Sequence, residues 1–308
     1  MSSYLLVQIS RSQRSLFISA WETAFSRVLE SSVYDWIFDE RNIIYALVVD
    51  REIVAGYCLY PFWGVINRHV ERVLLCNNVF VDPKHQGRQL FVKIGKLSLA
   101  EAAKKNEGIL AYGIPNALAL PGHKRVGWDV RSPIAFLESS RSCANNPIGD
   151  NWIHGKLNEK IRSDIEKCSK LSSVNRDFSI LKTAEFVAWR YENKPKTKYW
   201  FGLKYSKQEL LAYCVCKYFA DDKVLHFIDV DGVDALAISQ LVDESQCIPE
   251  DFLKLNIWES TMHAKIFHSK GYEKTDRINN LILIDPKKMA SFELGGDINI
   301  VLGDNDVF

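Results

Sequence analysis

The sequence has no run of about 18 apolar residues, the length a membrane-crossing helix requires, so no such helix is expected. An excess of one charge is also missing. Against 39 basic residues stand 38 acidic ones, a net charge of +1, which excludes general attraction to nucleic acid or an anionic membrane but leaves room for a local basic patch. Cysteine is too scattered to serve as a framework. The seven cysteines, at positions 58, 76, 143, 168, 214, 216 and 247, are odd in number and form neither a disulfide pattern nor a two-pair metal site. Cys214-x-Cys216 sits in an apolar strand-like run and is read as core, and no metal is expected. The opening Met-Ser-Ser-Tyr-Leu-Leu carries no basic segment followed by a long apolar one, so a reducing, cytoplasmic setting is expected. What is present is globular material. The 308 residues, 47% hydrophobic and 25% charged, suffice for two domains and a sizeable core.

The stretch from Asn77 to Trp128 organises the rest. Asn77-Asn78-Val79-Phe80-Val81, closed by Asp82-Pro83, reads as a buried strand because β-branched and aromatic residues fill it. After the turn Lys84-His85-Gln86-Gly87-Arg88-Gln89, apolar residues at Leu90, Ile94 and Leu97 recur at helical spacing and predict a helix over 90–105. A strand, a glycine-containing turn and a helix N-terminus together present backbone N–H groups where the helix dipole favours negative charge, an arrangement suited to a phosphate or pyrophosphate. Arg88 adds a cation. Gly108 to Gly113 reads as a second buried strand, followed by Pro115-Asn116 and a short helical run ending in Arg125-Val126-Gly127-Trp128.

This order of elements resembles the GNAT superfamily of CoA-dependent N-acyltransferases. The family's turn is commonly R-G-x-G-x-G. Here Gln86, Gly87, Arg88, Gln89, Leu90 and Phe91 align with it, so that Gln86 and Gly87 fit while Gln89 and Phe91 stand where small residues are usual. The family's Asn, twelve residues before a Gly-aromatic ending, is matched by Asn116 and Gly127-Trp128. The resemblance implies an α/β (α+β) fold with a mixed, mostly antiparallel sheet flanked by helices, and acyl-CoA as co-substrate. It implies a cofactor site formed by Phe80, Val81, Gln86, Gly87, Arg88, Gln89, Leu90, Phe91 and Asn116, with the thioester carbonyl polarised by a main-chain N–H near Phe80 and Val81. His123 falls where the family often has a tyrosine acting as general acid, and an exposed, dipole-satisfying histidine is the alternative. No carboxylate lies on the strand itself. Glu71, about 33 Å from Val81 along an extended strand, is too distant to act directly, which leaves a water relay or a carboxylate of the second domain as base and Asn77 as the strand's polar candidate for catalysis or substrate binding.

The second half repeats the first in outline: a helix over 183–191, strands over 199–203, 209–219 and 224–230, a helix over 233–242, a strand over 252–258, a short helix before Gly271-Tyr272, and a closing strand over 281–284. It has no pyrophosphate turn. The expected organisation is therefore tandem GNAT folds, a CoA-binding domain over 1–145 and a degenerate GNAT-like domain over 146–308 that shapes the acceptor pocket, the latter by fold analogy. Trp189, Arg190 and Tyr191 group aromatic and cationic residues that could stack a ring and pair a diphosphate, the alternative being a helix packed into the core. Carboxylates at the tail, Asp297, Asp304 and Asp306, are further candidates for the acceptor. The plan resembles bacterial two-domain acyltransferases of surface-polysaccharide biosynthesis, which implies a nucleotide-linked amino sugar as acceptor, such as a dTDP-3-amino-3,6-dideoxyhexose. An antibiotic, peptide or cell-wall amine, or an acyl-CoA sensor without turnover, are the alternatives.

Overall fold

The computed structural model describes residues 4–141, 147–259 and 263–305; Cys143 and Asp306 lie outside them. Contacts divide the chain into two units, the first made of the chain up to Phe62, Glu71–Pro133 and Asn279–Glu293, the second of Trp63–Val70, Ile134–Ile278 and the chain from Leu294. Among the described residues no helix is long and apolar enough to cross a membrane.

Unit 1 begins with β1 (Leu5–Gln8), α1 (Arg14–Phe25), α2 (Ser31–Ile37), β2 (Ile43–Val49), β3 (Glu52–Ile66) and β4 (His69–Val81). It continues with α3 (Leu90–Lys104), β5 (Leu110–Gly113), α4 (Leu120–Val126) and β6 (Asp129–Val130). Asp50 and Arg51, both at positive φ, make the tight two-residue connection from β2 to β3. Helix α3 buries Leu90, Ile94, Leu99 and Ala102 along one stripe against β2 to β5. On the opposite side Phe17 and Trp21 of α1 pack with Tyr34, Phe38 and Phe80, so the aromatics of α1 and α2 belong to a core cluster.

Unit 2 contains β7 (Ile134–Ser140), β8 (Trp152–His154), α5 (Glu159–Ser173), β9 (Phe178–Ile180), α6 (Ala184–Val187) running into a π-helical turn at Ala188–Glu192, β10 (Trp200–Ser206), β11 (Glu209–Phe219) and β12 (Val224–Gly232). There follow α7 (Ala235–Ser245), β13 (Lys254–Trp258), α8 (Ala264–Ser269) and β14 (Glu273–Asn279). Its main sheet has the order β14-β7-β13-β12-β11-β10-β8, and α7 covers a face built from Leu225, Phe227, Leu255 and Ile257. Cys214 and Cys216 are buried in that core, as their apolar setting implied.

Two expectations are corrected here. The strand over 281–284 is β15 (Ile282–Ile284), and it completes the first unit rather than the second: Ile282 pairs with Gly113 and Val130, giving the order β1-β2-β3-β4-β5-β15-β6. The expected boundary at 145/146 also differs from the observed division, because β7 pairs antiparallel with β13 in unit 2, from Phe136↔Trp258 to Ser140↔Lys254. A last strand, β16 (Ile298–Asn299), pairs with β9.

Candidate functional site

The site grows out of the end of β4. Its parallel register with β5 covers only Val73↔Leu110 to Leu75↔Tyr112. Beyond it, β5 turns to β15 while β4 runs on through Cys76 to Val81, so the two neighbouring strands part. Asn78 marks this departure with φ +48° inside the strand, and its carboxamide oxygen accepts the Trp21 indole N–H at 3.1 Å. The neighbouring Asn77 Oδ1 is buried without a hydrogen-bond partner.

The turn after β4 is rigidly started and openly ended. Asp82 accepts the Lys84 N–H at 2.7 Å and Pro83 opens one turn of 3₁₀ helix. Gly87 then takes φ +76° and Gln89 φ +58°, directly before α3 begins at Leu90. Gly87 is needed for its backbone angle and not for space, since nothing lies within 4 Å of where a Cβ would stand. Gln89, the residue before α3, makes no side-chain cap, so its side chain consumes none of the first-turn amides of this 15-residue helix. Left-handed residues interleaved before a helix N-terminus make a concavity of N–H donors with a favourable dipole for an anion.

A cavity of about 490 Å³ opens onto this turn. Phe80 and Val81 of β4, Gln86, Gly87, Gln89, Leu90 and Phe91 line it, so seven of the nine residues expected at the cofactor are brought together. Arg88 and Asn116 are not on its wall. Arg88 is exposed and its guanidinium lies 3.5 Å from the Tyr4 hydroxyl, while Asn116 Oδ1 accepts the Ala119 N–H at 2.9 Å and so fixes the entry to α4. Phe91, a bulky residue where a small one was anticipated, leans against α4: a Cβ on Gly122 would stand 2.6 Å from its ring. Ala24 and Phe25 at the end of α1, and Leu118, Pro121 and Arg125 from the α4 region, also line it. Among the described residues no carboxylate lines the cavity, and Arg125 supplies a positive charge. That lining matches a diphosphate better than a cationic ligand.

No family model matches the chain, and no curated protein matches it in sequence. Solved structures do. A conserved protein of unknown function from Enterococcus faecalis V583, a probable N-acyltransferase, aligns with a TM-score of 0.73 at 10% identity, over 93% of this chain and 73% of that one. A GCN5-related N-acetyltransferase from Anabaena variabilis ATCC 29413 aligns with a TM-score of 0.73 at 9% identity, over 92% of this chain and 73% of that one. The fold is that of the GCN5-related N-acetyltransferases. The N-myristoyltransferase of Saccharomyces cerevisiae with bound myristoyl-CoA is also similar to this chain, with a TM-score of 0.63 at 8% identity, over 92% of this chain and 79% of that one.

Within this GCN5-related fold, His123 lies behind the cavity wall. It is 5% exposed and wedged edge-on between Phe91, 5.0 Å away, and Trp128, 5.4 Å away. Burial pushes its imidazole down to about 4, so the ring is neutral at pH 7, and Nδ1 has no hydrogen-bond partner. Neither an exposed histidine nor one at the cavity surface describes it.

Trp189, Arg190 and Tyr191 are buried in unit 2. The Arg190 guanidinium donates to the carbonyls of Gly303 at 2.9 Å and Asn305 at 2.8 Å, and to the Tyr199 hydroxyl at 3.2 Å. Tyr191 donates to Asp229 at 2.8 Å. Nearby, Asp304 accepts from Lys182 Nζ at 2.6 Å, so this tail carboxylate is also engaged internally. The trio expected to bind the acceptor instead ties the tail segment into unit 2. The residues that sequence reasoning missed, Ala24, Phe25 and Leu118, carried no polar signature. Arg125 was visible only as one of three basic or titratable residues in a row.

Proposed function

We propose that this chain is an acyl-CoA-dependent N-acyltransferase. The observation that carries the reading is the cavity where β4 parts from β5 and meets the turn Gln86–Phe91, with left-handed Gly87 and Gln89 exposing amides at the start of α3. The diphosphate of CoA would lie against these amides, with Arg125 opposing its charge. The pantetheine arm would enter beside the stretch of β4 that has parted from β5, which places the thioester at main-chain donors around Phe80 and Val81 and at the apolar wall of Ala24 and Phe25. An amine attacking the carbonyl there forms the new C–N bond as the C–S bond breaks, and the thiolate leaves with a proton. Main-chain N–H groups that face the developing oxyanion favour this step because they need no reorganisation. Asn77 Oδ1, a buried acceptor without a partner, is suited to orient an N–H of the acceptor.

A nucleotide-linked amino sugar remains the acceptor we propose from the sequence resemblance, with its contacts sought outside Trp189, Arg190 and Tyr191, whose polar groups are engaged within unit 2. The lack of a carboxylate on the cavity wall favours a second reading, binding of acyl-CoA without turnover.

Titration calorimetry with CoA and thiol release from acetyl-CoA, with a panel of amines that includes nucleotide-linked amino sugars, test both. The catalyst binds CoA and releases thiol only when an amine is present, and Gly87→Val weakens binding by distorting the turn. Binding with no thiol release for any amine supports the sensor. Absence of CoA binding, or binding indifferent to Gly87→Val, overturns the site.

A further inference from the structure

The seven-stranded sheet of unit 2 carries a feature that the acyl-transfer reading does not use. Lys217 on β11, His226 on β12, Asn256 on β13 and Glu138 on β7 stand directly opposite one another in register, Lys217↔His226, His226↔Asn256 and Asn256↔Glu138. Their strand neighbours Cys216, Leu225, Phe227, Leu255, Ile257 and Leu137 point into the apolar core. By strand alternation the four polar residues therefore form one row across the other face.

Asn256 in the middle of this row is 1% exposed; its carboxamide oxygen faces the His226 ring, while its nitrogen has no hydrogen-bond partner. Leaving such a donor dry and unpaired costs about 1–3 kcal/mol, which an acceptor on a bound molecule would relieve. One cation, Lys217, ends the row, and another, Arg277 on β14, lies beyond its other end. Lys217 Nζ lies 4.1 Å from the centre of the Phe219 ring and the Arg277 guanidinium 4.4 Å from that of Phe136. Among the described residues neither makes an ion pair, and Glu138, the row's carboxylate, is held by Lys254 at 2.7 Å. Burial first, then the charges of Arg277 and Lys217, bring His226 down to about 3, so both cations act on the same point. Burial and the charge of Arg190 lower Lys217 to about 8, as expected where no anion compensates it.

We infer that this face of the unit 2 sheet binds the oxyanion group, a carboxylate or a phosphate, of a small molecule, with Lys217 and Arg277 opposing its charge and the Asn256 amide donating to it. Phe136 and Phe219 form the apolar sides of the site and hold the two cations in place by cation–π contact. The inference is independent of CoA binding.

The test is thermal unfolding of the full chain with sodium phosphate and, separately, sodium acetate, each against sodium chloride at matched ionic strength. The wild type is stabilised by at least one of the two probes beyond chloride, phosphate alone marking a phosphate site and acetate a carboxylate site. Lys217→Gln, Arg277→Gln and Asn256→Leu each lose that extra stabilisation. Asn256→Leu also unfolds at a higher temperature than wild type without any probe, since the unpaired amide is gone. Gly87→Val retains the response, which separates this site from the turn at α3. No extra stabilisation of the wild type by either probe, or a response that survives all three unit 2 substitutions, overturns the inference.

Discussion

Replacing His123 by phenylalanine separates a proton-transfer role from a packing role. In the native state burial brings the imidazole from an ordinary 6.5 to about 4. A group whose folded pKa is depressed contributes stability that is present above its unfolded pKa and lost as pH falls towards the folded one. For His123 that window runs from 6.5 down to about 4. At about 1.4 kcal/mol for each pH unit, the native state loses about 3 kcal/mol across it on account of this residue. Phenylalanine preserves an aromatic ring between Phe91 and Trp128 and removes a buried nitrogen without a partner, so at neutral pH the variant is as stable as wild type or slightly more so. Guanidinium unfolding at about pH 7 and at about pH 4, compared between the two proteins, isolates the effect, because His226 titrates identically in both. The wild type loses about 3 kcal/mol more than the variant on acidification. Thiol release from acetyl-CoA with an accepted amine changes little. Parallel loss of stability in the two proteins would refute the buried, neutral histidine, and a drop in turnover of about 10²–10⁴-fold with unchanged CoA affinity would restore the general acid.

Lys182→Met leaves Asp229 and Asp304 facing each other without their cation in a site where Lys182 is 4% exposed, so unfolding free energy at neutral pH falls by about 3–5 kcal/mol in denaturant titrations. The loss shrinks on acidification, because burial already raises both carboxyls, Asp229 to about 7, and protonation relieves them; a loss that grows on acidification refutes the network. Gly122→Ala places a methyl 2.6 Å from the Phe91 ring and pushes it into the cavity, so calorimetry shows weaker CoA binding while stability falls by about 1 kcal/mol. Unchanged affinity would show that Phe91 has room to retreat elsewhere.

Much of unit 1 was legible because its signals are local. Asp82-Pro83 ends β4, helical spacing from Leu90 defines α3, and Asp50-Arg51 makes a hairpin turn that needs no distant partner. The turn from Gln86 to Phe91 was legible as a turn for the same reason, although Gln89 and Phe91 departed from the small residues anticipated. The placement of β15 was not: three apolar residues can pair in either unit, and only the completed sheet selects Gly113 and Val130 as partners. Trp189-Arg190-Tyr191 shows the same limit in a site. Aromatic and cationic residues on one short helix look alike whether they meet a ligand or, as here, main-chain carbonyls more than a hundred positions later. His123 was picked out by its position in the chain alone, and its burial depends on Phe91 and Trp128 closing over it, which no spacing rule conveys.

The late arrival of β15 has a consequence for synthesis on the ribosome. Until Ile284 has emerged, β5 and β6 have no strand between them, and everything from Ile134 to Ile278 has been made by then. The nascent first unit must therefore wait with a vacant place in its sheet while residues 134–278 are made, and the second unit still lacks its segment from Leu294, so a fragment ending near residue 278 is expected to be poorly soluble in cells.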